Sequence, residues 1–124
     1  MSWLQEGGCM CGRTRFAFQG DPAFVSNCHC AACRRWTGAA MSTFVGGRDD
    51  QVAWKGGEPG VYVSSPGVRR TFCQACGTAL AYQGAKWPGE THLLLGAFDD
   101  PSAFTPTTDV FTEEALDWVP LRKG

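Results

Sequence analysis

Three cysteines lie within six consecutive positions of the stretch CHCAACRRWTG, as Cys28, Cys30 and Cys33. Three thiolates leave one corner of a tetrahedron free, which is typical of catalytic zinc sites and not of closed structural ones. A sulfur-rich site activates water less than an imidazole site does, but it suits the capture of an incoming thiol as a thiolate. We therefore interpret these three cysteines as zinc ligands and as the catalytic centre, with a thiol as substrate.

A fourth protein ligand is the alternative for this site, because it would close the tetrahedron. The candidates are His29, His92, Asp99 and Asp100. An extended backbone would turn the His29 side chain away from the face of its two cysteine neighbours, so we expect it at the surface or behind the ligands. His92 begins a predicted strand and is typical of a half-buried β residue.

Two arginines, Arg34 and Arg35, directly follow the last of these cysteines. Zinc with three thiolates carries a net negative charge, so adjacent guanidinium groups would stabilise it and would bind the anionic groups of a substrate. Two solvated surface arginines are the competing interpretation. Trp36 comes next, and it either packs in the core or walls the thiol pocket.

The other four cysteines form two close pairs, Cys9 with Cys11 and Cys73 with Cys76. Each pair supplies half a tetrahedron, so together they predict a closed, structural four-thiolate zinc site. A glycine follows each pair, and a positive φ there would let backbone N–H groups point at the sulfurs. Free buried cysteines or a C-x-x-C redox couple are the alternatives, although the redox couple lacks its usual βαβ context.

Composition narrows the class of protein. The 124 residues carry a formal charge of −1 and no basic run longer than a pair, so we expect one domain over residues 1–124 and no nucleic-acid partner. No basic start followed by an apolar stretch is present, and LLLGAF is too short to cross a bilayer. We therefore expect a soluble cytoplasmic protein without a membrane partner. In a reducing compartment, seven clustered cysteines indicate metal ligands more than disulfides.

Short segments rich in aromatic and β-branched residues alternate with glycines and prolines, which predicts a mostly β fold with very little helix. Predicted strands cover residues 13–20, 23–27, 41–46, 52–56, 61–65, 68–73, 78–83, 92–98 and 109–112. A helical turn or two is expected at 31–36, and another at 100–104 with Asp100 or Ser102 as its cap. The loop AKWPGETH at 85–92 is either a lid or a hairpin.

Four stretches carry a resemblance to a known family. GGCMCGRTRF, CHCAACRRWTGA, FCQACGTAL and GAFDDP together resemble the glutathione-dependent formaldehyde-activating enzymes over nearly the whole chain. The resemblance implies a β-tent fold of stacked β-sheets around a structural zinc site. It also implies two zinc ions per chain, one held by the residues at 9, 11, 73 and 76 and the other by those at 28, 30 and 33.

The activity that this resemblance implies is the condensation of formaldehyde with glutathione to S-(hydroxymethyl)glutathione, formally the reverse of a carbon–sulfur lyase reaction. The glutathione thiolate would bind zinc at the open position, its carboxylates would contact Arg34 and Arg35, and its sulfur would attack the aldehyde carbon. The family commonly has Pro-x-x-His before an apolar pair, whereas PTTDVF has Asp109 here. We expect this position to vary with the ligand.

Two other functions compete with an enzyme acting on a small thiol and an aldehyde. The fold also resembles guanine-nucleotide-exchange chaperones and the domain of centromere protein V, so a noncatalytic zinc-scaffold binding module is one. A binding module has no need of an open zinc position. The other is a thiol-based electrophile sensor, in which Cys28, Cys30 or Cys33 would react directly, and zinc content separates this reading from the enzyme.

Overall fold

Ten strands form two sheets in residues 3–122, the part of the chain that this computed structural model describes. The strands are β1 (Leu4–Gly8), β2 (Thr14–Gln19), β3 (Phe24–Cys28), β4 (Ser42–Arg48), β5 (Val52–Gly56), β6 (Gly60–Ser65), β7 (Val68–Phe72), β8 (Ala79–Gly84), β9 (Glu90–Leu94) and β10 (Thr108–Val110). The small sheet has the order β1-β2-β5, and the large sheet has the order β10-β3-β4-β9-β8-β7-β6. Neighbouring strands are antiparallel except β10, which pairs parallel with β3.

The predicted mostly β architecture with little helix is confirmed, and each predicted strand has an observed counterpart. The segment predicted at 92–98 is shorter, because the strand ends at Leu94 and a 3-10 turn covers Leu95–Ala97. β1 was not predicted, since LQEGG has neither alternation nor β-branched residues. Its glycines serve close packing: a Cβ on Gly7 would overlap the carbonyl oxygen of Ala97 and the ring of Phe16.

The main core lies between the two sheets. Phe16 and Phe18 of β2 are fully buried, and the Phe16 ring meets Phe98 edge-on at 5.0 Å between centroids. Cys9 and Cys73 belong to this core. A second, smaller core contains Cys28 and Cys33 with Phe44 and Leu94. The two cysteine groups are therefore embedded in different parts of the hydrophobic interior.

The helix predicted after Cys30 is present as α1 (Ala31–Thr37). Cys30 is its N-cap, because the Cys30 sulfur accepts a hydrogen bond from the Cys33 backbone amide at 3.2 Å. Gly38 ends the helix with a φ of 73°, and its amide donates to the Arg34 carbonyl.

The second predicted helical segment is a single 3-10 turn over Pro101–Ala103. Asp100 holds the N-cap position, as expected, but its side chain makes no capping hydrogen bond and instead accepts one from the Ser102 hydroxyl at 2.6 Å. Within residues 3–122, every helix is too short or too polar to cross a bilayer.

Candidate metal centres and the adjoining cavity

Four cysteines converge where the turn after β1 meets the turn after β7. Their sulfurs all lie within 4.8 Å of one another, although Cys11 and Cys73 are 62 residues apart in the chain. The Cys9 and Cys11 sulfurs are 3.5 Å apart, and those of Cys11 and Cys73 are 3.7 Å apart. Zinc–sulfur bonds of about 2.3 Å place the corners of a tetrahedron about 3.8 Å apart. The cluster of Cys9, Cys11, Cys73 and Cys76 can therefore hold zinc.

Backbone and hydroxyl donors surround these four sulfurs, as thiolates require. The Thr14 amide donates to the Cys9 sulfur at 3.3 Å, and the amides of Ala75 and Cys76 donate to the Cys73 sulfur at 3.4 Å. The Thr78 hydroxyl, 3.1 Å from the Cys76 sulfur, lowers the pKa of that thiol to about 5. All seven cysteines are free thiols, so no disulfide competes with metal binding.

The glycines after the two pairs have the backbone that the sequence predicted. Gly12 has a φ of 79° and Gly77 a φ of 83°. A Cβ on Gly77 would meet no atom within 4 Å, so the left-handed conformation, and not lack of space, favours glycine there. The Gly77 amide donates to the Cys73 carbonyl at 2.8 Å, which closes the turn that carries the second pair.

The second cluster contains Cys28 at the end of β3, Cys30 at the helix cap and Cys33 in the first turn of α1. Their three sulfurs lie within 4.8 Å of one another, with Cys28 and Cys33 at 3.7 Å. Three thiolates at this spacing can also hold zinc. No histidine or acidic side chain of residues 3–122 completes this group.

The four candidates for a closing ligand have other partners. His29 pairs with Asp109, His92 pairs with Glu90, Asp99 pairs with Arg15, and Asp100 accepts from Ser102. The cluster of Cys28, Cys30 and Cys33, which we call the three-cysteine cluster, therefore has no fourth metal ligand among the described residues.

The three-cysteine cluster concentrates negative charge on one sulfur. The hydrogen bond from Cys28, followed by those from Cys30 and Arg70, lowers the pKa of Cys33 to about 6. The same Cys33 contact raises the pKa of Cys28, and burial raises the pKa of Cys30. Within this cluster of the metal-free protein, the Cys33 sulfur is thus the one that most favours the thiolate form.

Arg70 is the functional residue that sequence reasoning missed. It is 6% exposed, and its Nη1 lies 3.8 Å from the Cys33 sulfur. Its guanidinium carbon lies 4.9 Å from the Trp36 ring centroid and 5.3 Å from that of Tyr82. Two aromatic faces and the Ser64 hydroxyl hold the cation against the sulfurs. Alternation along the predicted strand 68–73 was the available signal, since it sends one of two adjacent arginines inward.

Arg34 and Arg35, which were expected to bind the anionic groups of a substrate, lie away from the cavity beside the three-cysteine cluster. Arg34 donates from Nη1 to the carbonyl oxygens of His29 and Glu114, both at 2.6 Å. Arg35 is exposed. Neither residue lines the cavity described below. Arg34 instead ties α1 to the residues before it and to the chain after β10.

His29 was expected either at the surface or behind the ligands. It is completely buried, so the surface position is wrong. Its Nε2 lies 2.6 Å from Oδ1 of Asp109 on β10. Burial pushes the pKa of Asp109 upward, but hydrogen bonds from His29 and from the Arg122 amide outweigh it, and the pKa of that carboxyl is lowered. This pair joins β10 to the segment that carries Cys28 and Cys30.

A cavity of about 770 Å³ opens beside the three-cysteine cluster, and all three cysteines line it. Its other lining residues are mostly apolar or aromatic; they include Phe24, Phe44, Val68, Tyr82, Trp87, Val110 and Phe111. The cations on its lining are Arg70 and Lys86, and no carboxylate is present among the described lining residues.

The loop predicted as a lid or a hairpin contributes Lys86 and Trp87 to the lining of this cavity. Trp36, in contrast, lies behind Arg70 and does not line the cavity.

Comparison with known proteins identifies the family. The family model described as "Glutathione-dependent formaldehyde-activating enzyme" matches residues 4–114. The chain belongs to this family. The match covers both cysteine clusters and every strand of the two sheets.

Two known proteins are similar to this family member, one in sequence and the other in fold. A Schizosaccharomyces pombe protein named as an uncharacterized lyase is 33% identical over 85 residues, which are 67% of this chain and 61% of that protein. The crystal structure of a Rhodobacter sphaeroides protein superposes with a TM-score of 0.64 at 20% identity, covering 76% of this chain and 87% of the other. The second likeness concerns the fold alone.

Replacing Arg70 tests whether its positive charge stabilises the thiolate of Cys33. In zinc-free protein, Arg70→Gln should move the alkylation of Cys33 by iodoacetamide to higher pH, because the cation that favours its thiolate is gone. Peptide mass spectrometry across a pH series measures this. Arg69→Gln, on the exposed neighbour in the same strand, should leave the profile unchanged, and equal profiles for all three proteins would contradict the coupling.

Proposed function

We propose that this chain is a zinc-dependent enzyme that joins the thiolate of glutathione or a related thiol to formaldehyde. The product is an S-hydroxymethyl adduct, so the reaction is formally the reverse of a carbon–sulfur lyase reaction. One observation carries the proposal: three cysteine sulfurs gather at the wall of a cavity without a fourth described protein ligand. Membership of the family and the lyase name of the yeast relative support it.

The residues of the three-cysteine cluster have separate tasks in this reaction. Zinc held by Cys28, Cys30 and Cys33 would supply a Lewis acid with a free coordination position, which lowers the pKa of an incoming thiol. The Cys30 cap and the Cys33 amide hold two of the ligands in register at the start of α1. Arg70 stabilises the negative charge of the gathered thiolates, since its guanidinium lies against Cys33.

The chemical step forms one carbon–sulfur bond. The thiol first releases its proton to water; its sulfur lone pair then attacks the formaldehyde carbon, the carbonyl π electrons move to oxygen, and water returns that proton to the oxygen. The cavity raises the rate by holding the thiol and formaldehyde together. Because the reaction has no difficult bond cleavage, this proximity accounts for most of the rate increase. Formaldehyde carries only hydrogen atoms on its carbon and needs little space. Most of the cavity must therefore accommodate the substituent of the thiol.

The electrophile sensor is the second candidate, and the lowered pKa of Cys33 favours it. A sensor would use Cys33 as the reacting thiolate in a chain without zinc at this cluster. Elemental analysis of protein purified anaerobically with reductant separates the two. Two zinc ions per chain support the enzyme, whereas one zinc ion and a reactive Cys33 support the sensor.

The proposed activity is tested by measuring exchange, because a catalyst speeds both directions and leaves the equilibrium unchanged. Formaldehyde and glutathione are mixed at equilibrium, and magnetisation transfer between formaldehyde hydrate and the S-hydroxymethyl adduct is followed by NMR. Zinc-loaded protein should increase the exchange rate in proportion to its concentration. Ala32→Ser, a conservative change on the exposed part of α1, should match it, whereas Cys30→Ser should fall to the uncatalysed rate. An uncatalysed rate with the zinc-loaded parent protein would contradict the proposal.

A further inference from the structure

We propose that the cavity selects a thiol with an apolar, ring-sized substituent and disfavours glutathione. This inference rests on the proposed function and names the substrate class of the same site. It follows from four features of the cavity: its aromatic surface, its small number of partners for a charged ligand, its volume and the strained residue on its lining.

The aromatic surface of the cavity is left open to a ligand. Trp87 is 43% exposed and Phe111 is 47% exposed, although both line the same cavity as the three cysteines. Large apolar side chains gain free energy when a ligand removes them from water. Phe24 and Phe44 continue this surface inward, and the His92 ring packs edge-on against Phe24 at 4.7 Å. A substituent that reaches from the sulfur cluster to Trp87 would thus contact rings along its length.

The lining offers few partners to a charged ligand. Glutathione carries two carboxylates and an ammonium group in addition to its thiol. Arg70 is already engaged by Cys33, Ser64 and two aromatic rings, which leaves Lys86 as the cation for both carboxylates. The ammonium group would meet no carboxylate on the described lining. Burial of charged groups without partners is unfavourable, so this cavity disfavours glutathione relative to an apolar thiol.

The size of the cavity agrees with a ring-sized group. Its volume of about 770 Å³ falls within the range of roughly 300–1,000 Å³ that is typical of small-molecule sites. Formaldehyde fills a small part of that space. The three cysteine sulfurs lie at one wall, so a thiol bound there would extend its substituent into the aromatic part.

Phe111 adds an independent sign of function. Its φ is 54°, and it is the single non-glycine residue with a positive φ in residues 3–122. A bulky residue in this conformation is strained, and such strain concentrates at ligand sites. The following 3-10 turn, Thr112–Glu114, begins directly after it. The backbone is thus held in a costly conformation at the residue whose ring forms the cavity edge.

Calorimetric titration of the zinc-loaded protein tests the selection. The probes are 2-phenylethanethiol, glutathione and the sulfur-free control 2-phenylethanol, all at one pH with a phosphine reductant. The phenyl thiol should bind at least about tenfold more tightly than glutathione, because it covers the rings and brings no unpaired charge. Trp87→Ala should weaken the phenyl thiol by about tenfold and leave glutathione nearly unchanged. Trp118→Ala is the matched control, since Trp118 is 73% exposed and lies off the lining.

The outcomes distinguish this inference from the proposed function. Equal or tighter binding of glutathione, lost in Cys30→Ser, would overturn the apolar selection and leave the thiol chemistry standing. Equal binding of the phenyl thiol and the phenyl alcohol would overturn the proposed function, because the sulfur would contribute nothing, and the inference would fall with it. Equal loss of the phenyl thiol in Trp87→Ala and Trp118→Ala would also overturn the selection, since the cavity ring would then have no specific role.

Discussion

Cys76→Ser should remove one of two zinc ions per chain and lower Tm by at least about 10 °C. The reason is the position of the cluster. Cys9 follows a strand of the small sheet, Cys73 follows a strand of the large sheet, and both are buried in the core between them. Four thiolates around one metal would therefore join the two sheets through residues that are far apart in the chain. Without a complete ligand set, the metal no longer holds that junction.

Elemental analysis and thermal unfolding measure this prediction together. Ala75→Ser is the matched control, because it introduces the same side chain one position earlier in the same exposed turn. It should keep both zinc ions and the parent Tm. A soluble Cys76→Ser protein with two zinc ions and an unchanged Tm would show that this cluster is not a structural metal site.

Cys30→Ser should remove the other zinc ion, keep Tm within a few degrees and reduce thiol binding at least about tenfold. Serine is a good helix N-cap, so its hydroxyl can take over the hydrogen bond from the Cys33 amide. The variant therefore removes a metal ligand while it preserves the start of α1. Its cluster also lies within one sheet and its adjoining helix, so loss of metal does not separate the two sheets.

Zinc content, Tm and calorimetric titration with a thiol measure the second prediction, with Ala32→Ser as the control on the same helix. Two zinc ions in Cys30→Ser would show that Cys30 is not a ligand. A loss of Tm as large as that of Cys76→Ser would show that the three-cysteine cluster, too, is needed for folding.

The departure from the family pattern at position 109 has a structural account. Thr108 and Val110 line the cavity, whereas Asp109 between them faces the other way and bonds His29. This follows from the alternation of side chains along β10. Asp109 therefore contacts the residue that follows Cys28, and its side chain does not face the cavity. The expectation that this position varies with the ligand remains a prediction.

The sequence by itself determined the two close cysteine pairs, the three-cysteine cluster, the mostly β fold and the short helix after Cys30. These features depend on neighbours in the chain. Cysteines with one or two residues between them can share a metal within a single turn, and alternating apolar residues predict a strand through its own two faces. The left-handed glycines after each cysteine pair were predicted for the same local reason.

Only the tertiary structure decided the rest. β1 is a strand through its pairing with β2, and Gly7 leaves the space that Phe16 and Ala97 occupy, contacts that its own sequence does not signal. Arg70, and not Arg34 or Arg35, is the cation at the sulfurs, because β7 brings it beneath α1 and between two rings. The cavity draws its lining from segments between Phe24 and Phe111. Residue spacing encodes local geometry, whereas burial, charge pairing and cavity shape arise from contacts between segments that only folding brings together.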